Sequence, residues 1–209
     1  LEIDGNPKIG RDAGRENEGG EGATALAEAI GDFFFRNYGR LENFALSSCG
    51  ISDAAAELFG NALFMNRKLQ TLDLSRNKIS NRGALFIADG LLHNGIIWKL
   101  DLRENGIGSV GAIALVEAAT DSRALRWLSL DGNVILEDAA NALLGTFSNS
   151  NFQFLGIKGN PLPTTLLEEI EGYNKARRKG PRSSDVPLSL PPLRIGTPLR
   201  RRRSFKGTQ

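Results

Sequence analysis

The chain has 209 residues, with 26 Lys and Arg against 24 Asp and Glu and a net charge of +2. Its single cysteine and single histidine exclude an internal disulfide and a cysteine-based zinc centre, and leave little for metal catalysis beyond a Cys-His pair. No apolar run approaches the ~18 residues a membrane span needs, and the lack of any Asn-x-Ser/Thr sequon favours an intracellular setting, cytoplasmic before nuclear.

The chain opens on Leu1-Glu2-Ile3-Asp4-Gly5-Asn6, in which Leu1 and Ile3 alternate as the inward residues of a strand do. The residue that should open this strand is missing, so the chain reads as a fragment or trimmed chain whose upstream signals are out of view. Gly10–Glu21 carries four acids and no Gly-x-x-x-x-Gly-Lys-Ser/Thr pattern, which predicts an inserted surface loop and no phosphate cradle. A shorter insertion follows near Phe33–Tyr38.

From Leu41 onward one pattern recurs. Leu41, Phe44, Leu46, Cys49 and Ile51 are matched by Leu69, Leu72, Leu74, Asn77 and Ile79. The same spacing returns at Ile97, Leu100, Leu102, Asn105 and Ile107, then at Leu125, Leu128, Leu130, Asn133 and Ile135. A last copy runs through Phe152, Leu155, Ile157, Asn160 and Leu162. The copies start 28, 28, 28 and 27 residues apart, and Asn6 falls in the same polar column as Cys49 and the later asparagines. Each copy has two halves. Leu72-Asp73-Leu74 alternates with period two, so the leucines point inward while Thr71, Asp73 and Ser75 point outward. Ala84, Ile87, Ala88 and Leu91 then lie on one helix face, as do Ala56, Phe59, Gly60 and Leu63; Ala112, Leu115, Val116 and Ala119; and Ala140, Leu143, Leu144 and Phe147. Ser80, Ser109 and Asp138 read as helix N-caps. One such unit cannot bury enough apolar surface to fold alone, so neighbouring units must stack into a curved α/β solenoid with a parallel sheet inside and helices outside.

These columns resemble the leucine-rich repeat family, of the long, ribonuclease-inhibitor-like type, over residues 1–179 in about six repeats. The resemblance implies a horseshoe with parallel strands on the concave face and helices on the convex face. It implies that Asn6, Cys49, Asn77, Asn105, Asn133 and Asn160 hydrogen-bond backbone in the turn after each strand. Cys49 is therefore structural and no nucleophile, and His93, at a helix end, has no evident partner. Residues 164–179 read as a capping helix whose face is Leu166, Leu167, Ile170 and Tyr173, with acids early and bases late.

Residues 180–209 hold five of the eight prolines, seven basic residues and one acid, and read as a disordered basic tail. Residues 1–179 keep 19 basic against 23 acidic residues, so the small net charge sums an acidic body and a basic tail. Arg200–Arg203 before Ser204 resembles a basophilic kinase site, and Thr197-Pro198 a proline-directed one. The tail is expected to meet acidic membranes, nucleic acid or an import receptor, or simply to be solvated.

The concave columns give the candidate partner-binding residues: Asp73, Trp98, Lys99, Asp101, Arg103, Trp127, Asp131, Phe154 and Lys158. Trp127 and Phe154 should be neighbours, with Trp98 close by. No catalytic constellation, metal site or cofactor motif stands out, and the expectation is a monomeric, non-enzymatic protein-binding module without a small-molecule substrate. The resemblance reaches two alternatives at repeat level: the Ran GTPase-activating proteins, and the repeat region of nucleotide-binding immune receptors, which would make this a sensor fragment. Actin-capping proteins of the tropomodulin type are a more distant relation, suggested by few repeats and a final helix.

Overall fold

The structure is a computed structural model that describes residues 41–122, 124–150 and 152–178. The chain divides into two units, Leu1–Arg178 and Lys179–Gln209, and every described residue lies in the first. The truncated first repeat with Asn6, the Gly10–Glu21 insertion and the tail with Thr197 and Ser204 lie outside the described residues.

Among the described residues five strands alternate with five α-helices: β1 (Asn43–Ala45), α1 (Asp53–Met65), β2 (Thr71–Asp73), α2 (Asn81–Leu92), β3 (Lys99–Asp101), α3 (Ser109–Asp121), β4 (Trp127–Ser129), α4 (Ala140–Ser148), β5 (Phe154–Gly156) and α5 (Thr164–Arg178). The strands form one parallel sheet in sequence order. Register advances one repeat per strand, pairing Phe44 with Leu72, Leu72 with Leu100, Leu100 with Leu128 and Leu128 with Leu155. Equal spacing in sequence thus becomes a column in space. The architecture is the α/β repeat solenoid that the two periods predict.

The core is the stack of those columns. Leu72, Leu74, Ile79, Leu100, Leu102 and Ile107 are buried from the strand side, and Ala84, Ile87, Leu91, Ala112 and Leu115 from the helix side. Helices approach through small residues. A Cβ on Gly60 would stand 2.2 Å from the Phe86 carbonyl oxygen, and one on Gly90 would stand 2.3 Å from that of Gly60. Counting the described repeats from Leu41, the helix of the fourth starts late, after a 3-10 turn (Glu137–Ala139), and its face slips. Ala139, Leu143 and Phe147 are buried there, while Ala140 and Leu144 of the expected face are half-covered.

Three polar columns hold the turns. The first is the asparagine column after each strand. Asn77 Oδ1 accepts from Cys49 N (3.0 Å) and Ile51 N (2.9 Å), while its Nδ2 donates to the carbonyls of Leu46 and Leu74 (2.9 Å each). Asn105, Asn133 and Asn160 repeat this toward Ile79, Ile107 and Ile135. Cys49 Sγ donates to Ser47 O at 3.4 Å. The second column lies where each helix returns to its strand. Asn66 and Asn94 Oδ1 accept from the two amides that open the next strand segment, and Asn94 Nδ2 donates back to Leu63 O at 2.7 Å.

The third column overturns part of the capping expectation. Ser80 is the N-cap of α2, with its Oγ accepting from Arg82 N. Ser109 and Asp138 are not caps: Gly108 holds that place for α3 and Leu136 for the 3-10 turn. The reason is that caps come from the preceding repeat. Asp53, first residue of α1, accepts from Ser80 N (2.7 Å) and Gly83 N (3.1 Å) of α2. Asn81, first residue of α2, accepts from Gly108 N (2.8 Å) and Gly111 N (2.9 Å) of α3. Ser109 accepts from Leu136 N at 3.2 Å and donates to the Asp138 carboxylate. A local N-cap oxygen is then dispensable, and glycine suffices at 108.

The strand ladder continues past each strand and ends where Ser48, Arg76, Glu104, Gly132 and Gly159 take positive φ. At the far edge, α5 covers β5. Asn174 accepts from Leu155 N (3.0 Å) and donates to Leu155 O (2.8 Å), as a sixth strand would. Arg177 donates to the carbonyls of Phe147 and Ser148 at the end of α4 and lies 4.3 Å from the Phe147 ring. Leu166 and Ile170 are buried, whereas Tyr173, expected on the same face, is 39% exposed because Asn174 and Arg177 hold the inner line.

Candidate functional site

Each three-residue strand turns its middle residue into the core and its two ends outward, so the concave face carries three columns of side chains. The first runs Asn43, Thr71, Lys99, Trp127, Phe154 and the second Ala45, Asp73, Asp101, Ser129, Gly156. The third, one residue past the strands, runs Ser47, Ser75, Arg103, Asp131, Lys158.

In the first column the structure brings three candidates into one stack. The Trp127 and Phe154 rings lie nearly parallel, 9° apart with centroids at 5.1 Å. Lys99 Nζ stands 4.6 Å from the Trp127 ring. All three are half-buried, so the stack is ordered by its own contacts and still reaches solvent.

The second and third columns form an ionic line. Asp101 is only 3% exposed. Its carboxylate takes a fork from Arg103, with Nε donating to Oδ1 at 2.9 Å and Nη2 2.9 Å from Oδ2, while Arg103 N donates to Oδ1 at 3.1 Å. Burial pushes the Asp101 carboxyl above the ordinary carboxylate range, and the bonds to Arg103 pull the other way. Asp101 is therefore an internal support that holds Arg103; Arg103, about half exposed, is the group presented to solvent. Asp131 accepts from Ser129 Oγ (2.9 Å) and Lys158 N (2.6 Å). It folds across Gly156, whose missing Cβ would stand 2.8 Å from Oδ2.

Two hollows flank the stack. One, of about 370 Å³, lies over β1–β3 and is walled by Asn43, Thr71, Asp73, Trp98, Lys99 and Asp101. Trp98, 43% exposed, belongs to this hollow. The other, of about 300 Å³, lies between β5 and α5, with Asp131, Phe154, Lys158, Glu171, Asn174 and Lys175 in its wall. Glu171 bridges Lys175 (3.1 Å) and Lys158 (3.3 Å), which together hold its carboxyl below the ordinary range. Sequence reasoning missed Glu171, Asn174 and Lys175 here. Only the packing of α5 against β5 brings them beside Lys158, and no periodicity encodes that.

Among the described residues no group of three or more His, Cys, Asp and Glu is placed to hold a metal, and no helix is long and apolar enough to cross a membrane. The stacked parallel strands, the outer helices and the asparagine column define a leucine-rich repeat fold. The family model described as "Leucine Rich repeat" matches residues 66–88 and 99–116. No curated protein matches the chain. Among solved structures the chain is similar to "Leiomodin-1 Actin-Binding Site 2 (ABS2)", at 14% identity and a TM-score of 0.61, over 72% of this chain and 88% of that one. At that identity the likeness concerns the fold.

Proposed function

We propose that this chain is a non-enzymatic interaction module that holds a protein partner on its concave face. Lys99, Trp127 and Phe154 are the anchor, with Arg103, Asp131 and Lys158 as charged rim. The observation that carries the reading is the stack itself: large aromatic surface, pre-ordered and half-open, ringed by ionic groups, is the composition of an interface hot spot. The period of about 28 residues with a helix in every repeat supports the ribonuclease-inhibitor-like subtype. GTPase activation and a receptor sensor fragment have only repeat-level resemblance behind them. The similar solved structure is named as an actin-binding site, and that makes actin the first partner to test.

The tail after residue 179 is proposed as a separate regulatory segment, with Ser204 phosphorylation reducing its attraction to acidic surfaces. For the body, the test is co-sedimentation with filamentous actin and pull-down from lysate, comparing wild type with Trp127→Ala. Glu117→Ala, exposed on α3, is the convex control. Recovery of the same partner by wild type and Glu117→Ala, with loss in Trp127→Ala, is expected. Equal recovery by all three contradicts the concave assignment.

A further inference from the structure

The repeat carries its own comparison, rung by rung. In the third repeat Asp101 Oδ1 accepts from the backbone N–H two residues on, and Oδ2 meets the Arg103 guanidinium at 2.9 Å. In the second repeat Asp73 sits one strand back in the same column, paired in register with Asp101. Its Oδ1 likewise accepts from the N–H two residues on, Ser75 N, at 2.8 Å. The two carboxylates thus share a backbone setting. The difference is the residue that follows. Where the third repeat has Arg103, the second has Ser75, which is buried and hydrogen-bonded to Ser47 Oγ at 3.1 Å. Among the described residues no Lys or Arg forms an ion pair with Asp73.

The space beside Asp73 is open. It is the hollow of about 370 Å³ over β1–β3, with the half-exposed Trp98 in its wall and Lys99, drawn toward the Trp127 ring, also lining it. Asp73 and Asp101 repel one another across it. Arg103 attracts both carboxylates but forms its ion pair with Asp101 alone among the described residues. A planar cation entering the hollow would meet a carboxylate in the same backbone setting as the one that already binds a guanidinium, and an indole in the wall of the same hollow. A lysine ammonium would gain the charge contact but not the fork or the stack.

We propose that this hollow is an arginine pocket, in which Asp73 forks and Trp98 covers a guanidinium from a protein partner, as Asp101 binds Arg103 in the next repeat. The inference deepens the concave-face reading and rests on it. It makes that face two-part: an aromatic anchor at Trp127 and an arginine selector at Asp73, two strands away.

The test uses the full chain and small probes, N-acetyl-arginine amide and the uncharged N-acetyl-citrulline amide of nearly the same shape. Binding is read from the Trp98 indole signal in a nitrogen-15 NMR titration. A saturable shift with the arginine probe is expected, with Kd at least about tenfold tighter than for citrulline, the discrimination a charge-assisted fork supplies. Asp73→Asn preserves the acceptor for Ser75 N and should weaken arginine binding at least about fivefold without lowering Tm. Equal response to both probes, or an Asp73→Asn chain that binds arginine unchanged, overturns the pocket. Loss of partner in Trp127→Ala alongside such a failure leaves the anchor standing and removes only the selector. An Asp73-dependent arginine response with capture indifferent to Trp127 supports the pocket and contradicts the anchor.

Discussion

Asp101 illustrates how a residue that reads as a surface contact can serve underneath one. Its column is outward in the strand alternation, so sequence placed it beside Arg103 as an equal. The structure buries it and gives Arg103 the exposed role. A carboxyl whose pKa lies higher in the folded chain than in the unfolded one binds its proton more tightly when folded. Native stability from this group is therefore present at low pH and lost as pH rises through that raised pKa. Asp101→Asn should accordingly melt above wild type at pH 7 in calorimetry, the gain shrinking as pH falls toward and below the ordinary carboxylate range. A variant less stable at pH 7 would show the Arg103 fork outweighing burial. The polar column after the strands was legible because its spacing is fixed and a carboxamide can accept from two amides while donating to two carbonyls. The contrast within it is measurable. Asn77→Ala strands two amides and the carbonyls it caps and should cost about 3 kcal/mol or more in denaturant unfolding. Cys49→Ala, losing a buried sulfur and its weak bond to Ser47 O, should cost about 1–2 kcal/mol. Equal costs would refute the division of roles.

At the scale of elements, periodicity located the α-helices of the described repeats but not how each begins. Ser80 was recognisable as a cap because its oxygen is local. Asp53, Asn81 and Ser109 were not recognisable, because the amides they cap belong to the next repeat, 27 to 30 residues away. This arrangement reverses an ordinary rule. Replacing a helical glycine by alanine usually stabilises by up to about 1 kcal/mol. At Gly83 the added Cβ would stand 2.5 Å from Asp53 Oδ1 and 2.9 Å from Ala56 Cβ. Gly83→Ala should therefore destabilise, by about 1–3 kcal/mol. Asp53→Ala should cost about 1–2 kcal/mol, a normal capping loss. Hydrogen exchange should place the damage at the Ser80 and Gly83 amides of α2, one element beyond the mutation. Protection lost in α1 alone would contradict capping between repeats.

At the scale of the molecule, the solenoid was legible from five equally spaced copies, and its closure was not. The cap at α5 depends on Asn174 imitating a strand edge and Arg177 closing the end of α4, and neither residue repeats. Partial burial lowers the Arg177 pKa from its usual value. Arg177→Ala should lower unfolding free energy by about 2–3 kcal/mol through the carbonyls it leaves unpaired, with the loss largest in exchange of the α4 and β5 amides. The same rigidity is what makes the concave face a credible docking surface: side chains from five strands are held in columns and cannot drift apart. Photo-crosslinking tests that claim most directly, with a benzoylphenylalanine introduced at Thr71 on the concave face or at Leu85 on the exposed side of α2. The expected result is a crosslinked protein partner from Thr71 only, lost when Trp127→Ala is added; crosslinks to the same partner from Leu85, unchanged by Trp127→Ala, would refute docking on the concave face.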